Sequence, residues 1–302
     1  MEGFLKMAEI QGVLLVYLIV GFIARKVKII TPETRPSYTN FVIYILLPCM
    51  IFMSFSEQIT SEQLKSTMIL LMISFTVAIF SYILGKVLFR NYPYRRRSLM
   101  QYGTLISNSA FAGMPMIYYA YGELGLFYAS IYIIPLRILM WSAGISLFTE
   151  ADFRTKVKNV LLNPGIIAVE LGAARMLLQV PIHPSLSTAL KSVGNATMPM
   201  SMILIGTILA EISIRDLLDR DVVYMTVLRL ILLPGIVLLA LKAIGTDPLI
   251  TAVTVLLTGM PVGSTAAILA EKYGADFSFG SKIVFTTTIL SLITVPVLSI
   301  FL

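Results

Sequence analysis

Long apolar runs separated by short polar segments are the dominant pattern of the amino-acid sequence. Ten runs are each long enough to cross the hydrocarbon core of a bilayer as an α-helix, which needs about 20 residues. The predicted spans are residues 8–24, 38–56, 66–89, 98–120, 126–149, 162–180, 190–211, 222–244, 248–271 and 279–302. No Gly/Ser-rich or low-complexity stretch between them marks a soluble domain. The pattern predicts an all-α polytopic membrane protein with ten transmembrane helices.

The composition agrees with this interpretation. Of the 302 residues, 57% are apolar and 13% are charged, and the mean hydropathy is +0.88, whereas about a quarter of the residues in a soluble domain are charged. The net charge is +7. In a membrane protein such an excess of basic residues first reports which loops face the cytoplasm. The expected partner is therefore the lipid bilayer, and nucleic acid is not expected.

The residue inventory excludes several kinds of enzyme. With one cysteine, Cys49, and one histidine, His183, the chain has no pair for an internal disulfide or an H-E-x-x-H zinc site. The aspartates fall in loops or at span ends, and neither a Gly-x-Ser-x-Gly motif nor a Gly-x-x-x-x-Gly-Lys phosphate loop occurs. We expect a protein that is not an enzyme and has no resident cofactor or metal, although Na⁺ or H⁺ remains open as a coupling ion.

Basic residues alternate along the chain in a way that predicts the orientation. Sixteen of the 23 lysines and arginines lie in or next to the connections that follow the odd-numbered spans, five lie in or next to the segments on the opposite side, and two, Arg137 and Arg229, lie deeper within spans. Basic loops stay in the cytoplasm. The predicted location is the cell membrane, with multiple crossings, both termini outside and the basic loops, including residues 95–97, cytoplasmic.

Two patterns recur, once in each half of the chain. One is a glycine 27 residues before a proline and the other is the tripeptide Gly-Met-Pro; the copies are Gly21 with Pro48, Gly172 with Pro199, Gly113-Met114-Pro115 and Gly259-Met260-Pro261. Their common order and offset indicate an internal duplication. Because each copy has an odd number of spans, the second copy enters the bilayer from the opposite side. Residues 1–150 and 162–302 are therefore predicted to be two inverted five-helix repeats.

The Gly-Met-Pro sequences fall in the middle of spans 4 and 9. Proline removes a backbone donor, and the glycine before it has no side chain to resist unwinding. Broken backbone at this depth needs protein or a water-filled cavity around it, and the N-terminal ends of half-helices attract anions. A plain proline kink is the alternative. We expect Gly113, Pro115, Gly259 and Pro261 to lie at two helix breaks that contribute to a binding site.

Several short motifs occur in an order typical of one transporter family. They are Asn108-x-x-x-x-Gly113-x-Pro115, Asn163-Pro164-Gly165, Gly194-x-x-x-x-Pro199 with Gly206, Met260-Pro261 and Ala270-Glu271-Lys272-Tyr273-Gly274. In this order and spacing the chain resembles the auxin efflux carrier family, which includes plant carriers and many prokaryotic permeases. Plant members usually carry a long cytosolic segment between spans 5 and 6. Residues 150–162 are much shorter, so a prokaryotic permease fits better.

The resemblance implies a fold similar to that of the bile acid sodium symporters. It has ten helices in two inverted repeats, with helices 4 and 9 crossing at their prolines. Spans 1, 2, 6 and 7 form a scaffold, and spans 3–5 and 8–10 form a transport domain that moves against it like an elevator. A homodimer is compatible with this family. The resemblance also implies that Asn108, Pro115 and Pro261 lie at the substrate site.

Two polar residues within spans are candidates for substrate binding. Asn108 offers two donors and an acceptor beside the first predicted break, with a helix-to-helix hydrogen bond as the alternative. Arg137 lies near the centre of span 5, where a charged side chain suggests function and can hold a carboxylate through two hydrogen bonds. The alternative is an internal ion pair, for example with Glu170, or extension toward water. We expect Arg229 to reach the cytoplasmic interface.

Two alternative sets of residues could couple transport to an ion. Hydroxyl oxygens of Thr265, Thr287 and Ser291 could bind Na⁺, although helix hydroxyls usually bond to their own backbone. Alternatively, Glu170 or Glu271 could carry a proton if burial raised its affinity for one.

These features together predict a secondary active or facilitative transporter. The expected substrate is a small organic anion, a mono- or dicarboxylate, which crosses the membrane by elevator-type alternating access. The alternative is a membrane-embedded sensor that binds a ligand in the same crevice without transporting it.

Overall fold

The computed structural model describes residues 2–55, 61–148, 162–211 and 219–302. Every regular element in these ranges is helical, and extended backbone pairs only in one isolated antiparallel bridge, between Ser107 and Val262. Six helical stretches are long and apolar enough to cross a membrane: Arg35–Ser54, Lys65–Leu88, Ser109–Leu147, Pro184–Leu209, Arg220–Ala243 and Phe277–Ser299. An all-helical polytopic membrane protein is confirmed at this level, whereas ten spans and an inverted repeat stay predictions.

The described residues of the first half of the chain form six α-helices. They are α1 (Glu2–Lys26), α2 (Arg35–Phe41), α3 (Leu47–Ser54), α4 (Ser61–Leu88), α5 (Tyr94–Leu105) and α6 (Met114–Leu139). Gly122 interrupts α6 with φ of +67°, a conformation that glycine adopts without a steric penalty. This turn coincides with the predicted boundary between spans 4 and 5.

In the second half, the ranges 162–211 and 219–302 contain eight α-helices. They are α7 (Pro164–Leu178), α8 (Pro184–Asn195), α9 (Thr197–Leu209), α10 (Arg220–Val227), α11 (Leu233–Ala243), α12 (Pro248–Thr258), α13 (Thr265–Lys272) and α14 (Phe277–Ser299). Asn163 and Asp247 each accept backbone N–H bonds at the start of a helix whose first turn contains proline. Side-chain caps and early prolines satisfy or remove donors that have no partner within the helix, so the sequence itself starts α7 and α12 here.

Three π-helical turns precede prolines inside apolar segments. Each turn ends two residues before its proline, at Pro48, Pro115 and Pro234. A proline ring clashes with the carbonyl one turn back and offers no N–H to it. Widening the preceding turn relieves this conflict without ending the helical path.

Helices α1 and α9 pack with their backbones in direct contact. A Cβ atom placed on Gly21 would lie 1.9 Å from the carbonyl oxygen of Ile203, and one on Gly206 would lie 2.1 Å from that of Leu18. Small residues allow such approach between membrane helices, where dispersion contacts replace the hydrophobic driving force. The two glycines therefore fix α1 and α9 as one closely packed pair.

Many large apolar side chains are exposed on the outer surface, which is unfavourable in water. Side chains such as Ile23, Met72 and Leu239 are 52%, 61% and 72% exposed. Contiguous apolar surface of this kind needs another apolar phase to cover it. Acyl chains of a bilayer supply that phase.

Charged side chains join helix ends at two places. Glu211 lies two residues beyond α9 and accepts hydrogen bonds from Arg25 at 2.7 Å and Arg35 at 2.9 Å. Arg96, in the first turn of α5, pairs with three carboxylates that belong to other elements; they are Asp219, Asp221 and Asp276 at 3.0, 2.8 and 3.4 Å. The first cluster joins α1, α2 and α9, and the second joins α5 to the starts of α10 and α14.

The Glu211 cluster makes a small contribution to the stability of the fold, and this contribution should depend on pH. Partial burial alone would raise the pKa of Glu211, but the hydrogen bonds from Arg25 and Arg35 hold it below its usual value. A carboxyl whose pKa is lowered by folding stabilises the protein above its unfolded pKa, and this contribution disappears as the pH falls through the folded pKa. The Tm advantage of wild type over Glu211→Gln in detergent should therefore be complete above about pH 5 and shrink as the pH falls below this value toward about pH 3. A difference that stays constant with pH would contradict this assignment.

Candidate functional site

Two helical paths break at facing positions in the interior. The first path leaves α5 at Leu105, runs through extended residues, and resumes in the π turn Ser109–Gly113 that leads into α6. The second leaves α12 at Thr258 and resumes at Thr265, the start of α13. The second interruption coincides with Gly259-Met260-Pro261, as the sequence predicts, whereas the first ends five residues before Gly113-Met114-Pro115, which lies where the π turn passes into α6.

The two interruptions pair through their backbones. The N–H of Asn108 donates to the carbonyl oxygen of Pro261 at 2.8 Å, and the N–H of Gly263 donates to that of Ile106 at 3.1 Å. These bonds flank the antiparallel bridge between Ser107 and Val262. Groups that the helices leave free are thereby satisfied inside the protein, which broken backbone at membrane depth requires.

We call the pairing of residues 106–108 with residues 261–263 the crossover. The prolines and glycines of both Gly-Met-Pro motifs have structural roles there. Pro115 follows the π turn Ser109–Gly113, whose widening accommodates the missing N–H of proline, and Pro261 supplies the carbonyl to which the N–H of Asn108 donates. A Cβ on Gly113 would lie 2.5 Å from a methyl carbon of Leu257, and one on Gly259 would lie 2.8 Å from a methyl carbon of Leu298. The glycines thus allow close packing around the breaks.

Hydroxyl groups complete the hydrogen bonding of the crossover. Ser107 and Ser109 contact each other, and both donate to the carbonyl oxygen of Leu257, at 3.1 and 3.2 Å. This carbonyl belongs to the last turn of α12, where helical partners run out. On the other side, the hydroxyl of Thr287 accepts the N–H of Val262 at 3.1 Å. Side chains of the first segment and of α14 therefore hold the backbone of the second path.

A cavity opens beside the paired segments. About 40 Å³ of it admits the centre of a water molecule, which is room for a few waters or a carboxylate-sized group. Its polar lining consists of Ser107, Asn108, Ser109, Arg137, Ser264 and Thr265. The structure thus brings the two predicted substrate-binding side chains, from spans 4 and 5, to one cavity.

Arg137 reaches this cavity without a compensating anion. Among the described residues, the hydrogen-bond partner of its guanidinium is the sulfur of Met140 at 3.8 Å, a weak acceptor, and no carboxylate lies within 4 Å. Glu170, the proposed alternative partner, is exposed on α7 and does not pair with it. Burying half of a guanidinium beside a cavity costs free energy unless an anionic ligand pairs with it.

Asn108 is the second polar side chain at the cavity that has no partner among the described residues. Its residue is 4% exposed, and its side-chain amide forms no hydrogen bond with other described residues, although its backbone is fixed by the crossover. An amide with free donors next to a free guanidinium is suited to an anion that carries oxygen acceptors.

Comparison with known proteins identifies the family. A family model described as membrane transport protein, Mem_trans, matches residues 9–159 and 153–299. The chain belongs to the Mem_trans family of membrane transport proteins. This membership confirms the resemblance to the auxin efflux carriers.

Curated relatives of this Mem_trans protein are also transporters over their full lengths. A protein of Rhizobium meliloti named "Putative malonate transporter" is 22% identical over 96% of this chain and 94% of its own. Uncharacterized transporters of Methanocaldococcus jannaschii and Methanothermobacter thermautotrophicus are 24% and 26% identical, each over 95% of this chain and 96% of their own. The chain is therefore similar to complete transporters.

The structure separates the candidates for ion coupling in this Mem_trans protein. The hydroxyl of Thr265 lines the cavity and pairs with the hydroxyl of Tyr102 at 2.8 Å. Thr287 and Ser291 donate to carbonyls of their own helix, at 2.6 and 2.7 Å. Glu170 lies on the exposed surface, and the side chain of Glu271 is outside the described part of the chain. Thr265 is thus the one described candidate of the set that reaches the cavity.

The prediction for Arg229 is wrong. Instead of extending to the cytoplasmic interface, its side chain is 2% exposed and donates to the carbonyl oxygens of Thr104, at 2.7 Å, and Met260, at 3.1 Å. Sequence position placed it close to a span end, but its partners are backbone atoms from both breaks. Ser107 and Ser109 were missed for the same reason, because their acceptor, Leu257, is about 150 residues away in the chain.

Proposed function

We propose that this protein carries a small organic anion with at least one carboxylate across the cell membrane. The observation that supports this most strongly is the unpaired guanidinium of Arg137 in the cavity beside the crossover. Two planar N–H groups of arginine match the two oxygens of a carboxylate. The amide of Asn108 and the hydroxyl groups of Ser264 and Thr265 would contact the remainder of the solute.

Helix ends add to the preference for an anion. The π turn that leads into α6 begins at Ser109, and α13 begins at Thr265, and both residues line the cavity. Free N–H groups and the helix dipole give such ends a partial positive charge. These groups would repel a cationic solute and bind a neutral acceptor more weakly than an anion, so the arrangement favours anions.

We propose an elevator-type mechanism with two rigid bodies. Spans 1, 2, 6 and 7 would be the scaffold, and spans 3–5 and 8–10 the moving domain, in two inverted repeats of five (residues 1–150 and 162–302). The backbone contact between α1 and α9 supports a rigid scaffold, and the paired breaks support a moving domain in which the substrate site stays intact. Termini outside, cytoplasmic basic loops and a homodimer through the scaffold complete the proposal.

Malonate is the first substrate to test, because a relative is named for it. Purified protein in liposomes loaded with unlabelled malonate should exchange it for labelled external malonate, and Asn108→Ala should slow this exchange by about 10- to 100-fold, the loss expected from one hydrogen bond to a charged ligand. Asn195→Ala, at an exposed position on α8, is the matched control.

The outcomes separate transporter from sensor. Exchange that depends on Asn108 but not on Asn195 supports the proposed site and function. Equal exchange by Asn108→Ala and wild type would reject the site. Malonate, or another short carboxylate in a thermal-shift screen, that stabilises the protein but is never exchanged would favour a ligand sensor.

A further inference from the structure

Arg229 lies where two half-helices end. It is not among the residues that line the cavity proposed to bind the substrate. It belongs to the π turn Leu228–Leu232 between α10 and α11. Its Nη1 donates to the carbonyl oxygen of Thr104 in the last turn of α5, and its Nε donates to that of Met260, two residues beyond α12. One side chain therefore joins both breaks from a third element.

The carbonyls that Arg229 binds are of the kind that attract cations. The last carbonyls of a helix have no helical N–H partner and carry the negative end of the helix dipole. In secondary transporters with broken helices, such C-terminal ends and unwound carbonyls coordinate the coupling Na⁺. At this crossover, ends of two half-helices present carbonyls to the same point, and a guanidinium occupies it.

The hydrogen-bond acceptors of the Arg229 guanidinium in the described structure are these backbone carbonyls. Within the described ranges no carboxylate lies within 4 Å of its guanidinium, and the residue is 2% exposed. The hydroxyls of Tyr132 and Thr258, which bond each other at 2.8 Å, are neutral neighbours of the same region. The guanidinium supplies, next to these carbonyls, the positive charge that a bound metal ion would otherwise supply.

We propose that Arg229 is a permanent, tethered cation of the crossover, so that the protein binds and moves its anion without Na⁺. This inference rests on the proposed function for the transport part alone. Arg229 is a positioning residue: it holds the two breaks together and adds positive charge behind the cavity, and Arg137 makes the contact with the solute.

Removing the side chain and supplying its head group in solution tests the inference directly. Arg229→Ala should lower Tm by about 5 °C or more, because two buried carbonyls lose their donor. Guanidinium at about 10 mM, far below denaturing concentration, should recover at least half of this loss in Arg229→Ala. It should not raise Tm in wild type or in Arg229→Met, whose side chain fills the space. Arg220→Ala, at an exposed position on α10, should behave like wild type.

Ion substitution of wild type keeps the inference testable if the alanine variant does not fold. Replacing Na⁺ by choline should leave the Tm of wild type unchanged and its malonate exchange within twofold, and Arg229→Lys should retain part of both. A Tm or exchange rate of wild type that rises with Na⁺ would overturn the proposal, as would a folded Arg229→Ala that guanidinium does not stabilise. Absence of any malonate exchange by wild type would instead count against the proposed function, while the Tm results still decide the role of Arg229.

Discussion

Replacing Arg137 by methionine is expected to abolish carboxylate transport while leaving the protein as stable as wild type. The guanidinium contacts no carboxylate among the described residues, so its removal leaves no buried anion without a partner and takes away an unpaired charge that is costly to bury. The bound anion, in contrast, loses its one bidentate partner. Truncating one side of a buried charge pair costs about 2–5 kcal/mol, so the rate of malonate exchange at low substrate concentration should fall by about 100-fold.

Two variants sharpen this experiment. Arg90→Met removes the same charge from an exposed position after α4 and should exchange malonate like wild type. Arg137→Lys keeps the charge without the planar pair of donors, and it should restore part of the activity. Thermal shift by malonate should disappear in Arg137→Met even though the unliganded Tm is unchanged. Full exchange by that variant would show that Arg137 is not the anion ligand.

Alanine at Gly21 or Gly206 is expected to destabilise the protein strongly. In each case the new methyl group would overlap a carbonyl oxygen of the opposite helix, which is backbone and cannot rotate away. Helices α1 and α9 would have to separate, with the loss of packing along their length. Overpacking of this kind costs about 1–3 kcal/mol or more, and we expect a Tm fall of several degrees for each variant or failure to yield monodisperse protein.

Gly12→Ala is the matched control for this prediction. It lies on α1 as well, but nothing lies within 4 Å of its added Cβ. Alanine is about 1 kcal/mol more favourable than glycine in a helix interior, so this variant should keep or slightly raise Tm. If Gly21→Ala and Gly12→Ala have the same Tm, the backbone contact between α1 and α9 is not as the structure places it.

Local signals predicted the parts of the site that depend on one segment. Proline and glycine act on their own backbone, so the Gly-Met-Pro sequences indicate the second break directly and the first one to within a few residues, on the C-terminal side of where it lies. Arg137 stood out because a charge in the middle of an apolar run is rare enough to suggest function by position alone. The same logic led to Asn108, whose amide faces the cavity beside the first break.

Interactions between distant segments were beyond the sequence pattern. Gly21 was noticed as part of a repeat, but nothing in the sequence says that Ile203 would lie against it. The prediction that Arg229 reaches the cytoplasmic interface rests on its short distance from the charged end of its span. Its hydrogen-bond partners are instead backbone carbonyl groups. Because every residue has such a group, the sequence does not indicate which ones an arginine will bind. The π turn that holds Arg229 ends before Pro234, and this combination of arginine and proline was the signal that could have drawn attention to it.

The backbone pairing of the two breaks also bears on how transporters of this kind change what they carry. Because main-chain atoms of residues 106–108 and 261–263 make the join, the side chains at positions 108 and 264 are free to be exchanged during evolution or protein engineering. Replacing single side chains at this proposed binding site would then change the preferred solute without disturbing the backbone framework that supports it.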